Sequence, residues 1–216
     1  MPALLFDLDG TLLSSDPLHV RVFVQMFAER GRTIDADYYF AHMHGRHNSA
    51  IFGDHFPGED AEALSVEKEA RFRVLLGGRA DPMPGARALI TRAQAAGWGL
   101  AVVTNAPRIN AEAMLQAIGL ASDLPHLIIG DECSAGKPDP APYLAALDRL
   151  GMSARDALAF EDSPSGLMAA RAADLRVIGL RSSLDDTALR TAGAHITIFD
   201  YTDPALATEL ARLTGA

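Results

Sequence analysis

Residues 4–16 read LLFDLDGTLLSSD, an apolar run that ends by setting Asp7 and Asp9 one residue apart. Side chains at i and i+2 of a strand point to the same side, so an extended chain here aims both carboxylates at one place. Like charges held that close raise each other's pKa and work against the fold unless something positive lies beside them. A plainer account is also open: a polar strand end that turns through Asp9 and Gly10, since Asp-Gly is a common turn pair. The rest of the chain decides between the two.

The 216 residues suffice for one core domain with a smaller insert, and 49% apolar with 22% charged residues is ordinary for a globular protein. No apolar run is long enough to cross a membrane, so no membrane partner is expected. The opening MPALLFDLDG reads as a strand almost at once. It lacks the basic, apolar and small-residue order of an export signal, and a cytoplasmic location is expected. A formal charge of −9 argues against nucleic acid as a partner, because phosphate-backbone recognition needs clustered Lys and Arg. It leaves room for a small anion in one locally basic pocket. The single cysteine, Cys133, forms no internal disulfide. In GDECSAGKP it has no neighbouring histidine and reads as an incidental thiol. A monomer or weak homodimer is expected.

Helical and strand-like patterns alternate from Gly85 onward. Short apolar runs at Leu100–Val103, Leu127–Ile129, Ala157–Phe160, Val177–Leu180 and Ile196–Phe199 are separated by helical segments. These are Ala86–Ala96, Pro107–Ile118, Ala141–Leu150, Pro164–Ala172 and Asp186–Ala192. Buried strands alternating with helices predict an α/β fold, a parallel sheet covered on both faces. Ligands in such sheets bind beyond the carboxyl ends of the strands. Between Asp16 and Ala80 the rhythm breaks. Pro17–Arg30, Ala61–Leu76 and the stretch between them read as helices, opened by SSDP and closed by the Gly- and Pro-rich GGRADPMPG. The expected organisation is a core of residues 1–15 and 80–216 with an all-helical insert over 16–79.

Four strand ends carry reactive side chains. Asp7, Asp9 and Thr11 follow the first; Thr104 and Asn105, in VVTNAPR, follow the second; Lys137, in SAGKPDP, follows the third. Glu161 and Asp162, in AFEDSPSG, follow the fourth. A parallel sheet brings all four to one edge, where the carboxylates form an oxygen-rich nest suited to Mg²⁺. Each signal alone has a duller meaning. Ser163 and Pro164 suit an N-cap and first helical turn, and a lone lysine is usually a solvated one. The set and its order are what is specific.

DLDGT, TN, GKPDP and EDSPSG, in that order, resemble the haloacid dehalogenase-like (HAD) superfamily. The DxDGT form is similar to that of its phosphatase and β-phosphoglucomutase-like branch. The likeness spans essentially the whole chain. It implies a Rossmann-like core, an inserted helical cap that contacts substrate, and Mg²⁺-dependent phosphoryl transfer through an aspartyl phosphate. By resemblance Asp7 is the nucleophile, and Asp9 is the general acid/base whose carbonyl also ligates the metal. Thr104 and Lys137 hold the phosphate. Asp162 is a direct metal ligand and Glu161 a direct or water-mediated one. Thr11, Asn105, Ala106 and Arg108 are carried over as contacts around the phosphate. Attack by a carboxylate on a phosphate dianion demands such neutralisation. The family's dehalogenases lack an aspartate at the position of Asp9, so the implied activity is a phosphatase acting on a small phosphorylated metabolite. A phosphomutase and a non-catalytic phosphometabolite-binding protein are the alternatives.

In the insert, SDPLH resembles the segment that supplies a histidine to the acid/base aspartate, here His19. HMHGRHNSA offers Gly45, Arg46 and His47 as a substrate-specificity loop. His42, His44 and His47 lack the carboxylate or cysteine that would complete a transition-metal site. One departure counts against a mutase: where β-phosphoglucomutase has an arginine three positions after the glycine, this chain has Asn48.

Overall fold

A computed structural model of the chain describes residues 1–215. The chain divides into two compact units: Met1–Ser14 together with the chain from Arg79 onward, and Ser15–Gly78. The first strand, β1 (Ala3–Phe6), belongs to the former and is wholly buried.

The intervening unit holds α1 (Asp16–Ala28), α2 (Ala36–His42), α3 (Asn48–His55) and α4 (Ala61–Leu76). Asp35 caps α2 by accepting from Tyr38 N–H, and Asp60 caps α4 by accepting from Glu62 and Ala63 N–H. These side chains satisfy donors that a helix start leaves open. Its centre is aromatic. Phe23 packs against Phe27, Tyr39 and Phe52, and Phe27 meets Phe56 edge-on at 4.9 Å. Burying each such ring contributes about 2–3 kcal/mol, which gives a unit of this size a core of its own.

From Arg79 the chain alternates: α5 (Ala86–Ala95), β2 (Gly99–Thr104), α6 (Arg108–Ala117), β3 (Leu127–Ile129), α7 (Ala141–Leu150) and β4 (Ala157–Glu161). Then come α8 (Pro164–Ala172), β5 (Arg176–Leu180), α9 (Asp186–Ala192), β6 (Ile196–Ile198) and α10 (Ala205–Thr214). The six strands form one parallel sheet in the order β3-β2-β1-β4-β5-β6. The chain moves outward one way from β1 through β2 to β3, then returns to start the other way at β4. The strand order therefore reverses at the β1/β4 boundary, where open α/β sheets place their ligands. The fold is α/β and Rossmann-like, as the alternating pattern predicts.

Register delivers the site. Phe6 pairs with Phe160 and with Val102, so Asp7 and Glu161 begin the next row across β1 and β4. The Phe6 and Phe160 rings stack at 5.0 Å. Behind the sheet, Ala101, Ala157 and Ala159 let Tyr143, Ala146 and Leu167 pack close to it.

Three details differ from the sequence pattern. Pro107 caps α6 from outside rather than opening it. Phe199 lies beyond β6, 65% exposed, with the Arg181 guanidinium 3.5 Å above its ring. The helix α10, which the pattern did not single out, ends the fold.

Candidate active site

Immediately after β1 the chain turns tightly. Gly10 N–H donates to Leu13 O at 2.8 Å and Leu12 N–H to Leu8 O at 2.9 Å. Gly10 has φ +68°, and a Cβ there would lie 2.0 Å from Asp162 Oδ2. Only glycine satisfies both the left-handed backbone and that approach. The turn thus brings the Asp7 segment against the end of β4. Asp7 N–H itself donates to Phe160 O at 2.9 Å.

Lys137 ties these strand ends together. Its Nζ donates to Asp7 Oδ1 at 2.6 Å, to Glu161 Oε1 at 2.6 Å and to Val103 O at 2.7 Å. Asp7, Lys137, Glu161 and Asp162 are all buried. Burial pushes the Asp7 carboxyl well above its ordinary range. Lys137 pulls it back, while the charges of Glu161 and Asp9 push it further up. Burial also works against the Lys137 charge, but Asp7 and Glu161 outweigh it and hold the ammonium above lysine's usual value. The Lys137 backbone is fixed separately. Asn105 Nδ2 donates to Lys137 O and Lys137 N–H to Asn105 Oδ1, each at 3.0 Å; the Lys137–Pro138 peptide is cis.

Carboxylate oxygens of Asp7, Glu161 and Asp162 lie within 4.8 Å of one another. Three buried carboxylates around a single lysine leave negative charge uncompensated, a costly arrangement without a further cation. The donor set, all hard oxygen, fits a hard divalent ion. Asp162 is steadied from the other side by Ser182 Oγ at 3.2 Å and Ser183 Oγ at 3.4 Å. Glu161 departs from a simple ligand role. Its Oε1 already accepts from Lys137 and from Tyr143 Oη, the latter at 2.6 Å.

Thr104 is buried, and its Oγ1 accepts from Ala106 N–H at 3.0 Å, which leaves its own proton to donate. The Thr11 hydroxyl is buried without a hydrogen-bond partner among the described residues. Its carbonyl receives Tyr201 Oη at 3.4 Å. Arg108 is committed elsewhere: it forms a bidentate pair with Glu132, 2.6 Å at both contacts, on an exposed face. Its expected phosphate contact finds no support in that arrangement.

Within the helical unit, His19 Nδ1 lies 2.8 Å from Lys68 Nζ, and its ring stacks on Phe72 at 4.3 Å. Lys68 is 3% exposed and also donates to Glu69 Oε1 at 2.8 Å, where Asn48 Nδ2 joins at 2.6 Å. Gly45 has φ +74°. Arg46 bonds His42 O and Asp54, and His47 precedes α3 as its N-cap residue. The three histidines do not converge: His42 meets Tyr38 and His44 faces Asp16.

Tyr143, Ser182 and Ser183 were not expected from sequence. Tyr143 falls at helical spacing with Ala146 and Leu147 and reads as one more core residue.

The haloacid dehalogenase-like hydrolase family model matches residues 1–174. Validoxylamine A 7'-phosphate phosphatase of Streptomyces hygroscopicus subsp. limoneus is 34% identical over 202 residues, covering 92% of this chain and 93% of that protein. Among solved structures, a HAD hydrolase of family IA, variant 3, from Entamoeba histolytica superposes with a TM-score of 0.89. It is 26% identical and covers 99% of this chain and 100% of its own. A CbbY mutant from Rhodobacter sphaeroides, in complex with xylulose-(1,5)-bisphosphate, is 30% identical with a TM-score of 0.79, covering 93% and 95%. With the model matched over most of its length and such relatives beside it, the chain belongs to the haloacid dehalogenase-like hydrolase family, in its phosphatase branch.

Proposed function

We propose that this phosphatase removes phosphate from a small phosphomonoester, a sugar phosphate or similar metabolite, through an aspartyl phosphate on Asp7 with Mg²⁺ as cofactor. One observation carries the reading: the buried Lys137 bridges Asp7 and Glu161 beside Asp162 at the point where the strand order reverses. The named phosphatases among the relatives support the same class of reaction.

Asp7, Asp162 and the Asp9 carbonyl would hold the ion, with Glu161 as its nearby counter-charge; when bound, the cation would supply positive charge to offset that of the phosphate. Asp7 attacks phosphorus in line. An Asp7 oxygen–phosphorus bond forms as the bond to the leaving-group oxygen breaks, and Asp9 gives that oxygen its proton. Asp9 then takes a proton from water as the water oxygen attacks the phosphoaspartate. Inorganic phosphate leaves, Asp7 is regenerated, and one water has been consumed. Thr104 donates its free hydroxyl proton to a phosphoryl oxygen, and Lys137 offsets charge beside Asp7. The helical unit, through His19, Gly45, Arg46 and His47, is read as the substrate-selecting cap.

Phosphate release from a generic aryl phosphate, with Mg²⁺ and with chelator, tests the proposal. Metal-dependent turnover that Asp7→Asn and Asp9→Asn each reduce by at least about a thousandfold is expected. Equal release by wild type and Asp7→Asn would discard it.

A further inference from the structure

Lys137 has three ammonium protons and three acceptors: Asp7 Oδ1, Val103 O and Glu161 Oε1. No proton is spare for an incoming phosphoryl oxygen, so a lysine that meets substrate must release one of the three. The Val103 carbonyl is fixed in β2. What fixes Glu161 is Tyr143. Its hydroxyl donates to the same Oε1 that Lys137 uses, at 2.6 Å, with both residues wholly buried. Ser163 Oγ reaches the other oxygen at 3.3 Å. The far side is closed as well, since a Cβ on Gly166 would lie 2.0 Å from the Glu161 carboxylate. Asp7 has no such anchor among these contacts, and its charge is the one consumed when it bonds phosphorus.

We propose that Tyr143 is a positioning residue of this site: its hydroxyl pins Glu161, so that Lys137 keeps Glu161 and Val103 and exchanges only its Asp7 contact for the phosphoryl group. The inference rests on Asp7 being the nucleophile. Tyr143 touches no reacting atom and acts through Glu161. Without the hydroxyl, the buried Glu161 keeps Lys137 as its one strong donor and draws the ammonium away from Asp7. The ring remains in the core, packed behind the sheet beneath Lys137, with Nζ 5.3 Å from its centroid.

Tyr143→Phe keeps that ring and removes only the hydroxyl. Two measurements on the full chain decide the matter. In metal-free protein, the Lys137 ammonium resonance, assigned with Lys137→Arg, is expected to shift in Tyr143→Phe. In aryl phosphate turnover with Mg²⁺, kcat is expected to fall about tenfold with KM within about twofold. A role in packing alone would lower the melting temperature and leave both readouts in place. An unmoved ammonium resonance overturns the proposal, and so does a raised KM with kcat intact. Absence of turnover in wild type would instead sink the phosphatase reading, and the ammonium comparison would still judge Tyr143.

Discussion

Gly166 lies in the first turns of α8, where alanine would ordinarily favour the helix by about 1 kcal/mol. Here a Cβ would meet all three terminal atoms of the Glu161 carboxyl group at 2.0 Å. We expect Gly166→Ala to destabilise the protein by about 1–3 kcal/mol, against the propensity scale, as overpacking does; urea denaturation checks the sign. Asp162 makes a different prediction. If it helps hold the ion, Mg²⁺ at a hundredfold excess over its Kd adds about 2.7 kcal/mol of stability to wild type. It should leave Asp162→Asn near its metal-free melting temperature, which calorimetry reads directly. Much of this neighbourhood was legible residue by residue. Asp7 and Asp162 directly follow apolar strands, Glu161 ends one and Lys137 lies in the loop after β3, and short strands advertise where they end. Tyr143, Ser182 and Ser183 were not, because their partners are set by packing between elements distant in sequence. A tyrosine at helical spacing looks the same whether its hydroxyl meets a carboxylate or water.

Among the elements, α10 was the one the sequence pattern hid. Its buried face consists of Leu206, Glu209 and Leu210, so a glutamate interrupts an already short apolar stripe. The structure explains the glutamate. Glu209 is 4% exposed and takes Arg176 of β5 in a bidentate pair, with Nη2 to Oε1 at 2.8 Å. The Arg176 hydrogen bonds outweigh burial and hold the Glu209 carboxyl below its ordinary range. A carboxyl whose folded pKa is depressed binds fewer protons folded than unfolded. Its contribution is therefore complete above the unfolded value of about 4.5 and is lost as pH falls through the lower folded value. Glu209→Gln should be less stable than wild type near neutral pH, and the two stability curves should converge as pH drops below about 4.5. Thermal melts across that range test it; parallel curves would refute the assignment. The strands, by contrast, were legible because a parallel sheet buried on both faces needs unbroken apolar runs, and only their end residues, first or last, shifted by one.

At the scale of the molecule, the chain interrupts one unit to build another. The core's own contacts make that interruption tolerable. Leu12 O accepts from Met83 N–H at 2.7 Å, so the chain leaving β1 and the chain returning from the insert are joined inside the core itself. A loop closed by such a contact costs little more when lengthened, since closure entropy grows only with the logarithm of length. Shortening should be equally cheap. The break in the strand–helix rhythm between Asp16 and Ala80 was visible in sequence; the short bridge beneath it was not, because it is a backbone contact that any side chains would permit. Replacing residues 15–78 with a short Gly-Ser linker should therefore leave a folded α/β core with its sheet intact. Circular dichroism should show a cooperative melt with reduced enthalpy. The aromatic centre around Phe23, Phe27 and Phe52 goes with the deleted residues, and all the strand pairings lie within the retained ones. If the helical unit selects substrate, the shortened protein should still release phosphate from a small aryl ester, at a reduced rate. It should also lose the wild-type protein's discrimination among phosphorylated metabolites. A shortened chain that is unfolded would show that the two units depend on each other for stability. One that folds and keeps the full preference would remove the helical unit from substrate selection.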